Sequence, residues 1–370
     1  MEQKLKLKKK IKFKRSKRKK HTNMVKYIIK RIFTMFPILI FALIITWLLA
    51  NMMIVNPILF KVGYDNPELL AAEMERVGYN DPWFVKLFNY LINFFTGNWG
   101  ESYVLDPGKP VIQFIAEILP KTIELMIIPI LVTPFIAVKM GAIAARHKDK
   151  VKDNMIRFIT ILAAGFPLFW VATMLQISFG VYITDFTNGQ FEIPVLLTNS
   201  GDYSYPGPTG GFRTGFRIID SIIYNDQAFL WDTVLHLILP SICMVFVSLA
   251  GIARLTRSSM LEVLDSDYIR TARAKGVEED DVIQKHALRN ALIPTSNLII
   301  GSIAGSILGS IFIEMSFHYK GFGWWFIDAI YRGDYLVITG FTVFAVITTL
   351  VGILVTDVMY TIIDPRITYN

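Results

Sequence analysis

Charge is scarce in this chain, and cysteine is nearly absent. Only 18% of its 370 residues are Asp, Glu, Lys or Arg, against 53% hydrophobic and 13% aromatic. Soluble domains carry about 25% charged residues, so this shortage points to lipid as the main solvent and excludes disorder. The one cysteine, Cys243, lies in an apolar stretch, which rules out a disulfide framework or cysteine metal site within one chain. Catalytic signatures are missing too. There is no G-x-x-x-x-G-K-[ST] loop to cradle nucleotide phosphates and no H-E-x-x-H, and His21, His147, His236, His286 and His318 are scattered. In Gly301-Ser302-Ile303-Ala304-Gly305 the serine is not central in a G-x-S-x-G elbow. No enzymatic activity, metal or cofactor is expected of the chain itself.

The charge that is present is unevenly placed. The formal net charge is +8, but Met1 to Arg31 holds fifteen basic residues and one acid, giving +14 and leaving −6 on the remaining 339 residues. Residues 1–31 are therefore a basic tail suited to anionic lipid headgroups, with nucleic acid the minor alternative.

A hydrocarbon core of about 30 Å takes roughly 20 helical residues. Six apolar runs meet that length: Ile32 to Ile54, Ile123 to Ala145, Ile156 to Ile183, Thr233 to Ala253, Ala291 to Ile313 and Leu336 to Ile363. The expectation is an all-α polytopic membrane protein with a six-span transmembrane domain over 32–363. The first run is read as a retained anchor. Basic residues near span ends stay cytoplasmic. The second-to-third connection holds Arg146, Lys148, Lys150, Lys152 and Arg157, and the fourth-to-fifth holds seven Lys or Arg, whereas 184–232 carries only Arg213 and Arg217. Both termini, including 364–370, are thus placed in the cytoplasm, and 55–121 and 184–232 outside.

Within 55–121, Trp83, Phe84, Leu87, Phe88, Leu91, Phe94 and Phe95 make a stripe expected on surface-lying helices. Asn199 to Gly215 is rich in Gly, Pro, Ser and Thr and is expected as an exposed irregular loop. Gly301, Gly305 and Gly309, with Ser302, Ser306 and Ser310, form small-residue ridges that would let a helix approach closely. Asp357, inside the last span, is expected to pair near the cytoplasmic interface rather than relay protons.

The cytoplasmic connection 254–290 is long, charged with both signs, and patterned. Leu261, Leu264, Tyr268 and Ala272 make an apolar helical face, Ser266 or Asp267 suits a cap, and Gly276 suits a stop. Glu278 to Asp281 suit a new helix N-terminus. A helix–break–helix unit without reactive groups is a docking element or a merely solvated hairpin.

The string Asp267-Tyr268-Ile269-Arg270-Thr271-Ala272-Arg273-Ala274-Lys275-Gly276, with His286-Ala287-Leu288-Arg289-Asn290-Ala291-Leu292-Ile293-Pro294, resembles the cytoplasmic signature of permease subunits of binding-protein-dependent ABC importers. Arg270-Thr271-Ala272 stands where the superfamily has E-A-A, as in its dipeptide and oligopeptide branch. Gly97-Asn98-Trp99-Gly100-Glu101-Ser102-Tyr103 and Asp357-Val358-Met359-Tyr360 through Asp364-Pro365-Arg366-Ile367 are similar to the B-type subunit. Asn98 replaces the branch's usual Asp, and Tyr319-Lys320-Gly321 its usual Pro-Gly.

The resemblance implies a type I importer permease fold in the cell membrane. It implies a second, related permease subunit, two ATPase subunits that bind ATP, an extracytoplasmic binding protein and a peptide substrate. Asp267, Tyr268, Arg270, Thr271, Ala272, Arg273, Ala274, Lys275 and Gly276 would then be the coupling segment. Related permeases carry nickel chelates or other small solutes, which remain alternative cargoes. A stand-alone secondary transporter is the rival class, with little support from one deep carboxylate and no inverted halves. Gln176, Ser178, Ser302, Ser306 and Thr348 are either path-lining or helix-packing residues.

Overall fold

In hydrocarbon every backbone N–H and C=O must find its partner within the segment, so apolar runs of this length fold as helices. The computed structural model describes residues 2–52, 67–76, 78–190, 192–201, 205–207 and 211–363. The last residues of the first expected span, part of the outside segment 55–121 and all of 364–370 fall outside them.

Twelve helices frame the described residues: α1 (Glu2–Asn51), α2 (Pro67–Arg76), α3 (Trp83–Thr96), α4 (Val111–Arg146), α5 (Val151–Gly165), α6 (Leu168–Ile177), α7 (Arg217–Ile223), α8 (Gln227–Leu264), α9 (Asp267–Ala274), α10 (Arg289–Ser316), α11 (Phe322–Arg332) and α12 (Tyr335–Ile363). Among the described residues, five stretches are long and apolar enough to cross a membrane: Lys26–Leu49, Val111–Arg146, Leu168–Phe186, Gln227–Leu264 and Tyr335–Met359. The expected span Ala291 to Ile313 lies in α10, a 28-residue helix.

The third expected span needs correction. Ile156 to Ile183 is not one helix, because α5 stops at Gly165, Phe166 turns extended and Pro167 caps α6. Proline lacks an N–H and disfavours helical geometry in the residue before it, so the chain breaks there and restarts. From Leu168 it runs through a π turn, Ser178–Ile183, to Phe186.

The centre of the chain is the α4–α8 pair, which makes the most extensive helix contact. Gly141 explains how closely the two approach: a Cβ there would sit 2.6 Å from Thr256 Cβ and 2.7 Å from the Ala253 carbonyl oxygen. Leu125, Leu237, Leu239, Cys243, Phe317 and Tyr319 fill the core beside this pair. Gly141→Leu is expected to destabilise the purified protein by about 1–3 kcal/mol through overpacking. Gly165→Ala, with nothing within 4 Å of its Cβ, serves as the control in thermal melts.

α1 leans on α12 and α3. Arg31 Nε lies 2.5 Å from Asp357 Oδ2, so the deep carboxylate is paired and the start of the first span meets the end of the last. α3 follows its apolar stripe: Trp83, Phe84, Phe88 and Phe95 are exposed, whereas Leu87, Leu91 and Phe94 are half-buried.

The loop after α6 is irregular, with residues 201, 212 and 213 exposed, and its end is tied to α7. Asp220 on α7 accepts from Tyr205 Oη at 2.7 Å, Thr214 Oγ1 at 2.7 Å, Thr214 N at 2.9 Å and Gly215 N at 3.1 Å. Burial alone would raise the Asp220 pKa, but these donors outweigh it and hold the carboxyl below its ordinary range. Pro206, within the loop, is buried, and residues 202–204 and 208–210 lie outside the described set.

Candidate functional site

The charged connection folds in three steps. α8 continues past the apolar core to Leu264, the chain breaks at Asp265-Ser266, and the eight-residue α9 follows. Ser266 is the N-cap residue, although its hydroxyl turns back to the Val263 carbonyl rather than capping α9. Gly276 ends the element with φ +76°, its N–H donating to Arg273 O while Val277 N donates to Ala272 O. This left-handed exit favours glycine, as the sequence indicated. Glu279–Asp281 then starts a helical stretch that passes through a π turn, Val282–Leu288, directly into α10.

The apolar face differs from its sequence reading in one respect. Tyr268 is 44% exposed and Ile269 takes the buried position, because α9 begins afresh after the break and does not keep the phase of Leu261 and Leu264. Ile269, Ala272, Met260, Val282, Ile283 and Ala287 pack together with Ala145 at the end of α4 and Ala291 at the start of α10. Of the nine candidate coupling residues, Ala272 is buried and Asp267, Tyr268, Arg270, Thr271, Arg273, Ala274, Lys275 and Gly276 are exposed. Tyr268 Oη accepts from Asn290 Nδ2 at 2.9 Å. The element thus has a dry inner face and a polar outer one.

Ion pairs fasten it to the bundle. Arg146 at the end of α4 meets Asp280 at 2.6 Å, and Arg273 meets Glu279 at 2.8 Å. The Arg273 guanidinium holds the Glu279 carboxyl below its ordinary range. Nearer the bundle, Arg257 on α8 grips Asp153 on α5 bidentately, at 2.7 Å from Nε and 2.6 Å from Nη2. Asp153 is fully buried and also accepts from Asp149 N. The Arg257 guanidinium lowers its pKa. The basic-residue count marked Arg146 and Arg257, but their partners depend on tertiary packing that no local spacing encodes.

The opposite end of the bundle carries buried polar groups that sequence reasoning missed. Glu314 accepts from Thr122 Oγ1 at 2.7 Å, Ser310 Oγ at 3.1 Å and Trp324 N at 3.0 Å, and Phe322 N donates to Thr122 Oγ1 at 2.7 Å. A Cβ on Gly321 would lie 2.5 Å from Thr122 Oγ1, so glycine is required in Tyr319-Lys320-Gly321. Asp334 accepts from Ser102 Oγ at 2.6 Å and Leu105 N at 3.0 Å, joining the stretch after α3 to the start of α12. These carboxylates sit just beyond the apolar runs, where a count of charges within spans does not register them.

The remaining candidates are separated. A Cβ on Gly301, Gly305 or Gly309 meets nothing within 4 Å, so among the described residues the ridge stands open. Other faces of α10 serve its contacts with α8 and α12. Ser302, Ser306 and Thr348 bond carbonyls of their own helices, and Gln176 Nε2 donates to Ser316 O at 2.8 Å, a packing role. No cluster of three or more His, Cys, Asp or Glu placed to hold a metal occurs among the described residues.

Comparison with known proteins agrees with this layout. The family described as binding-protein-dependent transport system inner membrane component matches residues 137–369, from the last third of α4 onward. The chain is 33% identical to the oligopeptide transport system permease protein AppB of Bacillus subtilis, over 94% of this chain and 100% of that protein. It is 36% identical to the dipeptide transport system permease protein DppB of Alkalihalophilus pseudofirmus and 31% identical to that of Escherichia coli, with the same coverage.

Proposed function

Because the chain belongs to the family of binding-protein-dependent transport system inner membrane components, we propose that it forms one half of the translocation path of an ATP-driven peptide importer. Dipeptides or oligopeptides are the cargo that its relatives' names support. ATP is bound by separate ATPase subunits, a related permease subunit completes the path, and an extracytoplasmic binding protein delivers the peptide. The chain supplies no phosphate-binding loop and acts mechanically.

One observation carries the coupling role. α9 is seated on a single apolar cluster that includes the end of α4, the end of α8 and the start of α10. A force on its exposed face therefore reaches three bundle helices at once. ATPase closure would bias these helices between two packings, since closely packed interfaces switch rather than deform continuously. The open glycine ridge on α10 is a surface for the second permease subunit.

The test uses the scarcity of thiols. Cys243 is buried, so Tyr268→Cys on the exposed face supplies the accessible thiol. Maleimide labelling at residue 268 is expected to be fast in the permease pair and to fall at least about tenfold when the ATPase subunits are bound, equivalent to about 1.4 kcal/mol of protection. Unchanged labelling would remove α9 as the docking element.

A further inference from the structure

Between the last turn of α1, the first turns of α12 and the α2–α3 layer lies a cavity of about 1060 Å³. Trp47, Leu336 and Val343 give it an apolar side, and Tyr79, Tyr90 and Tyr103 bring aromatic rings to it. The charged residues that line it are four acids, Glu73, Glu75, Asp81 and Glu101, and two bases, Arg76 and Lys86. Glu73 and Arg76 hold one another at 2.7 and 2.8 Å. Lys86 Nζ donates to the Tyr79 carbonyl at 3.2 Å and stands 5.5 Å from the centre of its ring. Glu75, Asp81 and Glu101 form no ion pair among the described residues, although Glu101 lies within the field of the Arg76 charge, and the Tyr90 hydroxyl has no hydrogen-bond partner there.

A cavity with three carboxylates outside any ion pair, beside tyrosine rings, suits an ammonium, through charge and cation–π attraction. Its two bases suit a phosphate close by, and its apolar side suits a hydrocarbon chain. Location selects the source of that chemistry. The cavity lies against α1, which turns Phe33, Phe41 and Leu49 outward at 74, 66 and 63% exposure, and so belongs to the lipid-facing rim rather than to the central α4–α8 pair. We propose that it binds the zwitterionic headgroup of a phospholipid with a primary ammonium, phosphatidylethanolamine. The ammonium sits among Glu75, Asp81 and Glu101, the phosphate faces Arg76 and Lys86, and the acyl chain passes Trp47. This proposal is independent of the coupling role of α9.

Native mass spectrometry of the assembled permease tests it, with phosphatidylethanolamine, phosphatidylcholine and phosphatidylglycerol offered in equal amounts. The expected result is preferential retention of phosphatidylethanolamine. The triple variant Glu75→Gln, Asp81→Asn, Glu101→Gln should lose about tenfold of that retention, or about 1.4 kcal/mol, with its melting temperature in lipid-free detergent unchanged. Glu101→Gln alone should give a smaller loss in the same direction and serves if the triple variant does not fold. Equal retention of the three lipids, or undiminished retention by the variants, would overturn the proposal. So would displacement of the lipid by a free dipeptide, which would assign the ammonium site to peptide.

Discussion

Ala272→Arg is expected to abolish ATP-driven uptake while leaving the chain inserted and the ATPase active. Ala272 is 8% exposed and faces the cluster formed by Ile269, Val282, Ile283 and Ala145. That cluster is apolar, so an arginine there must either bury its charge against it or lift α9 off the bundle. A cost of about 3 kcal/mol shifts the seated population more than about a hundredfold. On the proposed division of labour, hydrolysis by the separate ATPase subunits would continue while its motion would no longer reach α4, α8 and α10. Ala272→Ser, which fits the same space, is expected to keep most uptake. The check is uptake of labelled peptide measured beside phosphate release in reconstituted vesicles. Normal uptake by the arginine variant would show that seating of α9 is not required.

The second large effect is at the clamp between α5 and α8. Asp153→Asn leaves Arg257 without its bidentate partner and keeps a polar group in a fully buried site. Because the Arg257 side chain retains some solvent contact, the expected loss is about 2–3 kcal/mol, at or below the range for wholly buried pairs. Exchanging the two charges, Asp153→Arg with Arg257→Asp, should recover part of it. Thermal melts of the detergent-purified protein measure both. The pH dependence has a defined sign. Arg257 depresses the folded-state pKa of Asp153, so the pair's contribution is fully present above the unfolded carboxylate value of about 3.9 and is lost as pH falls through the depressed one. Between pH 5 and 8 this pair adds no slope, and Asp153→Asn should remove its share of the acid limb. An unchanged acid limb in the variant would contradict the assignment.

The bundle was legible because hydrocarbon imposes a length and a composition that can be read locally. The break after α9 was legible for a related reason: Gly276 suits a helix stop, and four acids suit the start of the next helical stretch. The break at Phe166-Pro167 was missed because apolar counting weighs residues by hydropathy, and proline interrupts a helix without interrupting an apolar run. Ile269 was displaced by Tyr268 in the sequence reading because the chain changes direction at Asp265-Ser266 and the helical phase restarts. Arg257–Asp153 and Arg146–Asp280 join residues more than a hundred positions apart, and only the packed bundle brings them together. The glycine ridge shows the converse. Its spacing marks a surface of small side chains, and none of the described residues comes within 4 Å of a Cβ placed there.

The most direct test of the central claim is uptake of a labelled peptide by proteoliposomes that hold the complete assembly, compared with vesicles lacking only the ATPase subunits. ATP-dependent accumulation in the first and none in the second is the result expected of a permease that is driven through α9. Accumulation by the permease subunits alone, driven by an ion gradient, would contradict it.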